Sequence, residues 1–429
     1  MRDSQRPELA PSRRSFLKAA GAAAAASSIS VDIARSAHVA GSDILKVGLI
    51  GCGGRGTGAA AQSVRAGDNM RLYAMADLFR DKLDRSLAIL RNQVPEKIDV
   101  SEDRCFVGFD AYKHVIECCD IVLLCTPPHF RPEHLRAAVE AGKHCFVEKP
   151  IAVDAPGVRS VWDSCQKAKQ KGLAIVSGLC WRYHYGVRET MQKVLNGDFG
   201  EIIAMQTNYI VGYLWSVKRK PGWSDMEWQC RNWLYFQWLS GDHIVEQHIH
   251  SLDKMAWAMG DQYPVKAWGL GGRQVRTDPL YGNIYDHHAV VFEFANGIRA
   301  FSYCRQISGC YNDVSDHIFC TRGHVDVLKH TATYKGKRIW RYKGPKNNMY
   351  QTEHDEMVRS ILEGKPINNG EYMTKSTMMA IMGRMATYTG QLVTWDQAWH
   401  SKQELKPPAY AWGPVPIQPV AKPGITKLI

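Results

Sequence analysis

The sequence predicts an α/β protein in which a parallel-sheet domain is followed by an α+β domain with a large open, mainly antiparallel sheet. In the first half, short apolar runs alternate with helical segments, which is typical of strands joined by helices in a parallel sheet. From Glu201 onward, strand-like runs follow one another without helices between them, and this indicates antiparallel pairing. The chain of 429 residues is long enough for two such domains.

The first predicted strand, residues 44–50, leads directly into a glycine-rich loop and an alanine-rich helix. In the spacing G-x-G-x-x-G, the first glycine makes a tight turn, the second lets backbone approach a pyrophosphate and the third lets helix pack on strand. The free N–H groups at the start of the helix favour phosphates. The pattern predicts a Rossmann domain over residues 43–179 that binds NAD(H) or NADP(H). The predicted cofactor contacts in this loop are Gly51, Gly53, Gly54, Arg55 and Gly56.

An acidic residue ends the second predicted strand, residues 70–76. Asp77 follows Gly56 by 21 residues, which is where a carboxylate can accept hydrogen bonds from the adenosine ribose. A carboxylate at this position would also repel the 2′-phosphate of NADP. We therefore predict NAD as the cofactor, with NADP left open because Arg80 and Lys82 lie close by in the sequence.

Two later strands end in polar loops at the same edge of the predicted sheet. Residues 119–125 lead into the loop T-P-P-x-x-x-x-x-H, and residues 144–147 lead into E-K-P. Together with the glycine loop, these motifs resemble the Gfo/Idh/MocA dehydrogenases, which oxidise or reduce sugars and cyclitols. The resemblance runs from about Lys46 to about Ser401. The cofactor contacts expected from these two loops are Thr126, Pro127, His129, Glu148 and Lys149.

The lysine of E-K-P is the first predicted catalytic residue. The resemblance implies that Lys149 lies at the active site beside the nicotinamide ring. An ammonium group near that positively charged ring should have a lowered pKa, so that it can hydrogen-bond the substrate oxygen and relay a proton. The alternative is an ordinary surface lysine after a strand.

A histidine-rich segment in the second half supplies the other predicted catalytic residues. Residues 240–253 resemble the family pattern G-G-x-x-x-D-x-G-x-H-x-x-D, with His250 at the histidine and Glu246 at the acid. We expect one helix here, so that the spacing of four places both side chains on one face. A neutral His250 could accept the hydroxyl proton, and Glu246 could orient its ring or bind a substrate hydroxyl. A structural role is the alternative for each.

The acids and histidines of this segment could instead bind a metal ion. His243, Glu246 and His250 are spaced three and four apart and could share a helix face, with Asp242 and His248 beside them. No cysteine pair or glycine turn supports a dedicated metal cage. We therefore predict that the protein has no metal site.

Substrate contacts are expected from two further places in a domain predicted over residues 180–404. One place directly follows the last strand of the parallel sheet, at the edge where open α/β sheets bind ligands. The other is an aromatic-rich loop, residues 213–238, because tryptophan faces suit sugar rings. Structural roles are the alternative at both places. The predicted substrate-binding residues are Arg182, Tyr183, Arg231, Asn232 and His250.

The first 42 residues are predicted to be a signal peptide and linker outside the fold. Residues 12–18, S-R-R-S-F-L-K, resemble the twin-arginine export signal, and a weakly apolar alanine-rich run follows. The alternative is a disordered basic tail. Because twin-arginine export carries folded proteins with their cofactors, we expect a periplasmic or otherwise exported protein that holds its NAD tightly.

The remaining features concern partners. The proline-rich residues 405–429 are expected to form an extended arm over the surface or over a neighbouring subunit. The resemblance implies a homo-oligomer. The formal net charge of +12 forms no basic block, so nucleic acid binding is not predicted. No apolar run reaches the roughly 18 residues of a membrane span.

Three functions are open from the sequence. The first is an NAD(P)-dependent oxidoreductase that acts on a sugar, sugar acid or cyclitol. The alternative is a redox-neutral glycosidase, in which bound NAD oxidises a sugar carbon, the glycosidic bond breaks by elimination, water adds and the hydride returns. The third is a non-catalytic, nucleotide-bound sensor. The first is favoured because Lys149 and His250 can handle the proton that accompanies hydride transfer.

Overall fold

The computed structural model describes residues 44–429, and its first part is a six-stranded parallel sheet. The predicted signal peptide and linker lie outside the described residues. The strands are β1 (Leu45–Ile50), β2 (Met70–Asp77), β3 (Cys105–Val107), β4 (Ile121–Leu124), β5 (His144–Val147) and β6 (Ile175–Ser177). Their order in the sheet is β3-β2-β1-β4-β5-β6, so the chain changes direction across the sheet between β1 and β4. Ligands bind at such a switch point in open α/β sheets.

Helices cover both faces of this sheet, and the buried strands are accordingly almost wholly apolar. All four residues of β4, for example, are buried. The helices are α1 (Gly54–Arg65), α2 (Arg80–Gln93), α3 (Ala111–Cys118), α4 (Arg131–Glu140) and α5 (Ala155–Gln170). Helix α1 begins inside the glycine-rich loop, as predicted, so that its free N–H groups face the carboxyl edge of the sheet.

The second sheet has nine strands and is mainly antiparallel, which confirms the predicted fold class. The strands are β7 (Ile202–Val211), β8 (Lys266–Gly272), β9 (His287–Glu293), β10 (Arg299–Gln306), β11 (Asp313–Cys320), β12 (Gly323–Asp326), β13 (Thr331–Tyr334), β14 (Lys337–Arg341) and β15 (Val393–Thr394). Their order is β14-β13-β12-β11-β7-β10-β9-β8-β15, and β7 and β10 form a parallel pair in its centre.

Helices of the second half cover one face of this sheet and return to the first. They are α6 (Tyr185–Leu195), α7 (Asp225–Arg231), α8 (Gln237–Ser240), α9 (His243–Glu246), α10 (Ile249–Ala258), α11 (Met349–Leu362), α12 (Gly370–Thr389) and α13 (Trp395–His400). Helix α12 is buried along almost its whole length. Helix α11 packs against α1, and the two are joined by a hydrogen bond from Gln351 Nε2 to the carbonyl of Gln62 (2.9 Å).

Because of this packing, residues 45–429 form one compact unit, and the predicted boundary after residue 179 stays a prediction. The predicted arm is extended and contacts its own chain, since Met226 N donates to the carbonyl of Gly413 and Gly424 N to that of Thr389. None of the twelve cysteines forms a disulfide. In the part of the chain that the structure describes, no helix is both long and apolar enough to cross a bilayer.

Candidate active site

A cavity of about 490 Å³ opens at the carboxyl ends of β1, β2, β4 and β5. It extends from the glycine-rich loop to the E-K-P loop and is closed on its other side by the aromatic-rich loop and the start of the histidine-rich segment. The predicted site residues that line it are Gly51, Gly53, Gly54, Arg55, Gly56, Asp77, Thr126, Pro127, Glu148, Lys149, Arg231 and Glu246. Most of the cofactor residues predicted from the sequence therefore share one cavity.

The glycines of the loop have the separate tasks that their spacing predicts. Gly51 has a φ of +99°, which side chains rarely adopt. A Cβ atom on Gly56 would collide with the carbonyl of Gly51, so only glycine lets helix and loop approach this closely. A Cβ atom on Gly53 would meet no atom within 4 Å, which leaves open space beside the N-terminus of α1. The loop thus leaves room for a pyrophosphate at the helix dipole.

Asp77 lies at the end of the cavity where a ribose would bind. Its Oδ2 accepts a hydrogen bond from Cys52 N (2.7 Å) and its Oδ1 accepts one from Phe79 N (2.9 Å). The pKa of Asp77 is raised, because the effect of burial outweighs the opposing effects of these two backbone hydrogen bonds and of the nearby Lys82. Each carboxylate oxygen keeps a free lone pair for a ligand hydroxyl.

Arg55 lines the cavity but its guanidinium is occupied by protein groups. It forms ion pairs with Glu148, through Nε, and with Glu353 Oε1 on α11 (2.7 Å). Its Nη1 donates to Gln62 Oε1 (2.8 Å). Burial and the Glu148 charge raise the pKa of Glu353, and Arg55 opposes this. Arg55 therefore joins the glycine loop, the E-K-P loop and α11, and the sequence had given no reason to expect Glu353 here.

Lys149 and Glu246 form an ion pair on the cavity wall. Lys149 Nζ lies 2.9 Å from Glu246 Oε1 and 2.5 Å from the main-chain oxygen of Glu246. Both side chains are 15% exposed, so the pair is shielded from bulk water but open to the cavity. An ammonium and a carboxylate in contact can bind a substrate hydroxyl and move its proton.

His250 lies close to this pair without lining the cavity. Burial first, and the positive charge of Lys149 second, hold its pKa well below the usual range, so its ring is neutral. Its buried Nδ1 finds no hydrogen-bond partner among residues 44–429. The structure therefore brings His250 near Lys149 but leaves its contact with a substrate as a prediction.

The predicted single helix through this segment is wrong, because α9 ends at Glu246 and α10 begins at Ile249. The N–H of His248 bonds to the carbonyl of His243, five residues earlier, instead of the residue four back. This wider turn interrupts the helix. Glu246 and His250 therefore do not share the face of one regular helix.

Two predicted substrate residues lie in a buried polar network instead of the cavity. Arg182 forms a two-point ion pair with Asp253 (2.9 and 2.8 Å) and a second pair with Asp261 (2.6 Å). Tyr183 is 3% exposed, and its hydroxyl donates to Asn369 (2.8 Å). Their polar groups are used inside the protein, so both predictions are corrected to a structural role.

Two further predicted substrate residues, Arg231 and Asn232, differ in whether they line the cavity. Asn232 is fully buried, and both polar atoms of its side chain bond to the backbone. Its Oδ1 accepts from Val217 N (2.8 Å), and its Nδ2 donates to Leu280 O (2.8 Å). It does not line the cavity, so its prediction is corrected as well. Arg231 does line the cavity, but it pairs with Asp81 (3.1 Å) and stacks over Phe79 (3.8 Å to the ring centre). It thus lies at the Asp77 end.

One predicted cofactor contact also lies elsewhere. His129 Nε2 is hydrogen-bonded to the hydroxyl of Tyr410 in the C-terminal arm (2.7 Å), and His129 is not among the residues that line the cavity. Burial lowers its pKa to about 4. The neighbouring Phe130, Arg131 and His134 line the cavity in its place. The sequence identified this loop, but it could not indicate which of the side chains in the loop line the cavity.

Several lining residues have no motif that would have identified them. They are Phe79, Lys82, Phe109, Tyr112, Phe130, Arg131, His134, Trp215, Val217 and Trp233. Trp215 and Trp233 lie with ring centres 6.0 Å apart, both in the aromatic-rich loop. The density of aromatic residues in that loop was the one signal in the sequence that pointed to them.

Comparisons with known proteins agree with this arrangement. Residues 45–176 match the NAD-binding Rossmann-fold model of the Gfo/Idh/MocA oxidoreductase family. Residues 10–30, which lie outside the described residues, match the signal sequence of the twin-arginine translocation pathway. This signal directs the protein to export by that pathway.

Two curated relatives are similar over part of the chain. A 2,7-anhydro-N-acetylneuraminate hydratase of Escherichia coli (strain K12) is 26% identical over 42% of this chain and 43% of its own length. A glycosyl hydrolase family 109 protein of Shewanella baltica (strain OS185) is 29% identical over 48% of this chain and 47% of its own length. The chain therefore matches less than half the length of these relatives.

Solved structures share the whole fold at lower identity. The aldose-aldose oxidoreductase from Caulobacter crescentus complexed with glycerol has a TM-score of 0.65 at 20% identity, over 82% of this chain and 99% of that chain. The scyllo-inositol dehydrogenase from Lactobacillus casei with bound NAD(H) and scyllo-inositol has a TM-score of 0.61 at 18% identity, over 82% and 100%. The chain therefore carries, after its twin-arginine signal, a Rossmann-fold domain over residues 45–176 that matches the NAD-binding model of the Gfo/Idh/MocA oxidoreductase family.

Proposed function

We propose that this protein is an NAD(H)-dependent oxidoreductase that transfers hydride between the nicotinamide and a carbon atom of a sugar, sugar acid or cyclitol. The Lys149–Glu246 ion pair carries the proposal, because it lies in the same cavity as the glycine-rich loop. The family match of residues 45–176 supports the redox class. The fold shared with sugar and inositol dehydrogenases supports a polyhydroxylated substrate.

The cavity suits NAD better than NADP. The open space at Gly53 and the start of α1 would hold the pyrophosphate, and Asp77 would bind the adenosine ribose. A 2′-phosphate would meet the Asp77 carboxylate there. The positive charge of Arg231 is already balanced by Asp81 and Glu227, which leaves Lys82 as the nearby lining cation without an ion pair to any of residues 44–429. When bound, the cofactor supplies or accepts the hydride.

Proton transfer is assigned to the protein. As a substrate carbon loses hydride, its hydroxyl loses a proton and becomes a carbonyl oxygen. Lys149 would hydrogen-bond this oxygen, and Glu246, 2.9 Å from Nζ, would take the proton directly or through Lys149. His250 would serve as a further, neutral base beside this pair, since burial and the charge of Lys149 lower its pKa. The reverse path returns the proton when a carbonyl is reduced.

The substrate end of the cavity is aromatic. Trp215 and Trp233 line the same cavity as the catalytic pair, and their ring faces suit the C–H faces of a sugar or cyclitol ring. Arg131, whose buried Nε has no hydrogen-bond partner among the described residues, also lines this cavity. Its cationic group would favour a substrate with an acidic or strongly polar substituent.

Tight retention of the cofactor is supported by the C-terminal arm. The ring of Trp412 lies 5.8 Å from Phe79 and 5.2 Å from Phe109, and both of these line the cavity. Tyr410 bonds to His129 beside them. The arm therefore covers the outer side of the residues around the ribose end. We propose that the enzyme is exported with NAD in place and regenerates it there.

A redox-neutral glycosidase is the second candidate. Its support is the similarity of about half the chain to glycosyl hydrolase family 109 proteins, at up to 30% identity. Such a cycle returns its hydride to the substrate, so it needs no second redox partner after export. It would use the same lysine, glutamate and cofactor.

The two candidates can be separated with the purified full-length chain. After denaturation, the released NAD(H) and NADP(H) are quantified, and we expect about one NAD(H) per chain. The native protein is then incubated with sugars, sugar acids, cyclitols and aryl glycosides. Accumulation of reduced cofactor with a polyol supports the dehydrogenase, whereas aryl release without net reduction supports the glycosidase. A protein without cofactor and without turnover would contradict both.

A further inference from the structure

A second group of chemically active side chains lies outside the cavity, in the core between α9, β9 and α12. Asp242, His243 and His288 are each at most 2% exposed. One ligand atom from each residue lies within 4.8 Å of the other two. None of the three lines the cavity, and the proposed hydride transfer uses none of them. Buried polar groups of this kind need a compensating partner.

The donor atoms are spaced as a metal ion requires. Asp242 Oδ1 lies 3.3 Å from His288 Nε2 and 3.8 Å from His243 Nε2. In a tetrahedral zinc site, bonds of about 2.0–2.1 Å separate neighbouring donor atoms by about 3.4 Å. Neither Nε2 atom has a hydrogen-bond partner within residues 44–429. The three atoms therefore surround a point at bonding distance from each with little rearrangement.

The proton positions of His288 favour a cation at that point. Its Nδ1 lies 2.9 Å from Thr387 Oγ1, and that hydroxyl donates its one proton to the carbonyl of Arg384 (3.0 Å) or Gly383 (3.2 Å). When that hydroxyl donates to one of these carbonyls, it accepts from Nδ1–H, and in this tautomer Nε2 carries a lone pair. A histidine fixed in this way through its other nitrogen is typical of metal ligands.

The backbone and carboxylate of Asp242 are arranged for the same purpose. Its φ of +77° is unusual for a residue other than glycine and marks a strained backbone. Oδ2 accepts from the Tyr388 hydroxyl (2.6 Å) and from Tyr285 N (2.9 Å). Oδ1 accepts from His243 N (2.5 Å) and lies 3.3 Å from His288 Nε2, so it faces the two imidazoles. The strained conformation holds this oxygen between them.

The neighbouring strand holds a cysteine near this group, although its Sγ is not among the atoms that lie within 4.8 Å of one another. Cys304 on β10 lies directly opposite His288 on β9, so their side chains leave the sheet on the same face. Cys304 is 2% exposed. The Asp242 carboxylate would supply one negative charge toward a divalent cation in this buried place. Carboxylate, imidazole and thiolate are the ligands that zinc takes in proteins.

We propose that Asp242, His243 and His288 bind one divalent transition metal ion, with zinc the best fit. This proposal departs from the prediction that the protein has no metal site, because His288 is too far along the chain to be linked with the other two from sequence. The ion would fasten the segment before α9 to β9. Glu246 lies four residues after Asp242, so the ion would fix the position of that carboxylate.

The first test is the metal content of the full-length protein, purified without a polyhistidine tag. Mass spectrometry of the elements should find about one zinc per chain. X-ray absorption at the zinc edge should show imidazole scattering and N/O ligands at about 2.0–2.1 Å. A protein without metal, or a metal without imidazole ligands, would overturn the proposal, and an Asp242–imidazolium ion pair would then be the remaining explanation.

Variants locate the ion. His288→Gln should lose at least nine-tenths of the zinc, whereas His354→Gln should keep it, since His354 is an equally buried histidine beside Phe146. Retention of zinc by His288→Gln overturns the site. If His288→Gln does not fold, the absorption spectrum of the wild type decides. Lys149→Met should keep its zinc while losing turnover, which separates this proposal from the proposed function.

Discussion

Arg55 shows how one side chain in a cofactor loop can hold three parts of the chain together. The motif sets no residue type at the position before its last glycine. Here that residue is Arg55, which pairs with Glu148 and with Glu353 from α11. Two buried carboxylates beside each other are unfavourable without a cation. Arg55 therefore stabilises the loop that carries Lys149 as well as the contact between α11 and α1.

The first prediction concerns this ion-pair group. Arg55→Met should lower the free energy of unfolding by about 3–5 kcal/mol, because it leaves two buried carboxylates without a partner. Glu353→Gln should cost much less, since it removes one of the two charges and keeps the volume. Urea unfolding of both variants measures this. Equal losses in the two would contradict the assignment of Arg55 as the shared cation.

The second prediction concerns the catalytic pair. Lys149→Met and Glu246→Gln should each lower kcat by about 10²–10⁴-fold, which is the usual size of a lost proton-transfer group. The content of bound NAD should change little, because neither residue lies at the pyrophosphate loop. The matched control is Lys167→Met on α5, a half-exposed lysine away from the cavity, which should keep full turnover. Wild-type turnover in Lys149→Met would rule out its role.

At the level of elements, the histidine-rich segment is the most informative. A regular helix would have aligned Glu246 with His250, but the wide turn at Gln247 and His248 rotates one relative to the other. Glu246 then reaches Lys149, while His248 bonds to Ser302 inside the core (2.7 Å). The break in the helix therefore places an acid on the cavity wall that a continuous helix would have directed differently.

The third prediction concerns the C-terminal arm. Trp412→Ala removes contacts with two aromatic residues of the cavity wall, worth about 0.5–1.5 kcal/mol each. If the arm limits cofactor release, NAD should dissociate about 5- to 100-fold faster. An enzyme that consumes free NAD is added, and the NAD that remains bound to the filtered protein is measured over time. Ile417→Ala, an exposed position on the same arm, is the control. Unchanged release in Trp412→Ala would contradict the covering role.

For the whole molecule, the outer face of the nine-stranded sheet is a candidate subunit interface. Trp268, Leu270, Phe301, Tyr303 and Phe319 lie on one face by their strand register, and Leu270 is 80% exposed. Large apolar side chains grouped on an open sheet face are a mark of association surfaces. We propose that two or more copies pack through it.

The fourth prediction tests this interface. Leu270→Glu would bury a charge in an apolar contact and should convert the oligomer to monomer, as measured by light scattering after gel filtration. Leu362→Glu, an exposed leucine on α11, should leave the oligomer intact. A wild-type protein that is monomeric at micromolar concentration would contradict the proposal.

The fifth prediction is the pH dependence of stability. Burial lowers the pKa of His129 to about 4 and that of His134 and His248 to about 3, so all three are neutral in the folded protein at pH 6. In the unfolded chain they take up protons below about pH 6.5. The free energy of unfolding should therefore fall as pH drops from about 6.5 toward 4, by up to about 1.4 kcal/mol per unit for each histidine.

Urea unfolding at several pH values measures this slope. His134→Phe keeps a ring stacked on Tyr112. It should reduce the slope of unfolding free energy against pH by up to about 1.4 kcal/mol per pH unit, the share of one histidine. The matched control is His400→Phe, because His400 is exposed. A stability that stays flat between pH 6.5 and 4 would mean that these histidines are accessible to water.

Local patterns were enough to predict the nucleotide-binding half. The glycine spacing, the acid at the end of β2 and the E-K-P loop each depend on residues within one strand and its turn, where backbone geometry and side-chain chemistry are fixed by neighbours in the chain. The alternation of strands and helices likewise predicted the parallel sheet, and its absence predicted the second sheet. These features need no knowledge of distant contacts.

Distant contacts determined the rest. Arg182 and Asn232 are polar residues in plausible places, and only their buried partners, Asp253 and the backbone at Val217, assign them to the scaffold. The ion pairs of Arg55 and Lys149 join segments far apart in the chain, as does the group of Asp242 with His288. Burial and pairing of this kind depend on how the two sheets pack, which no short window of sequence contains.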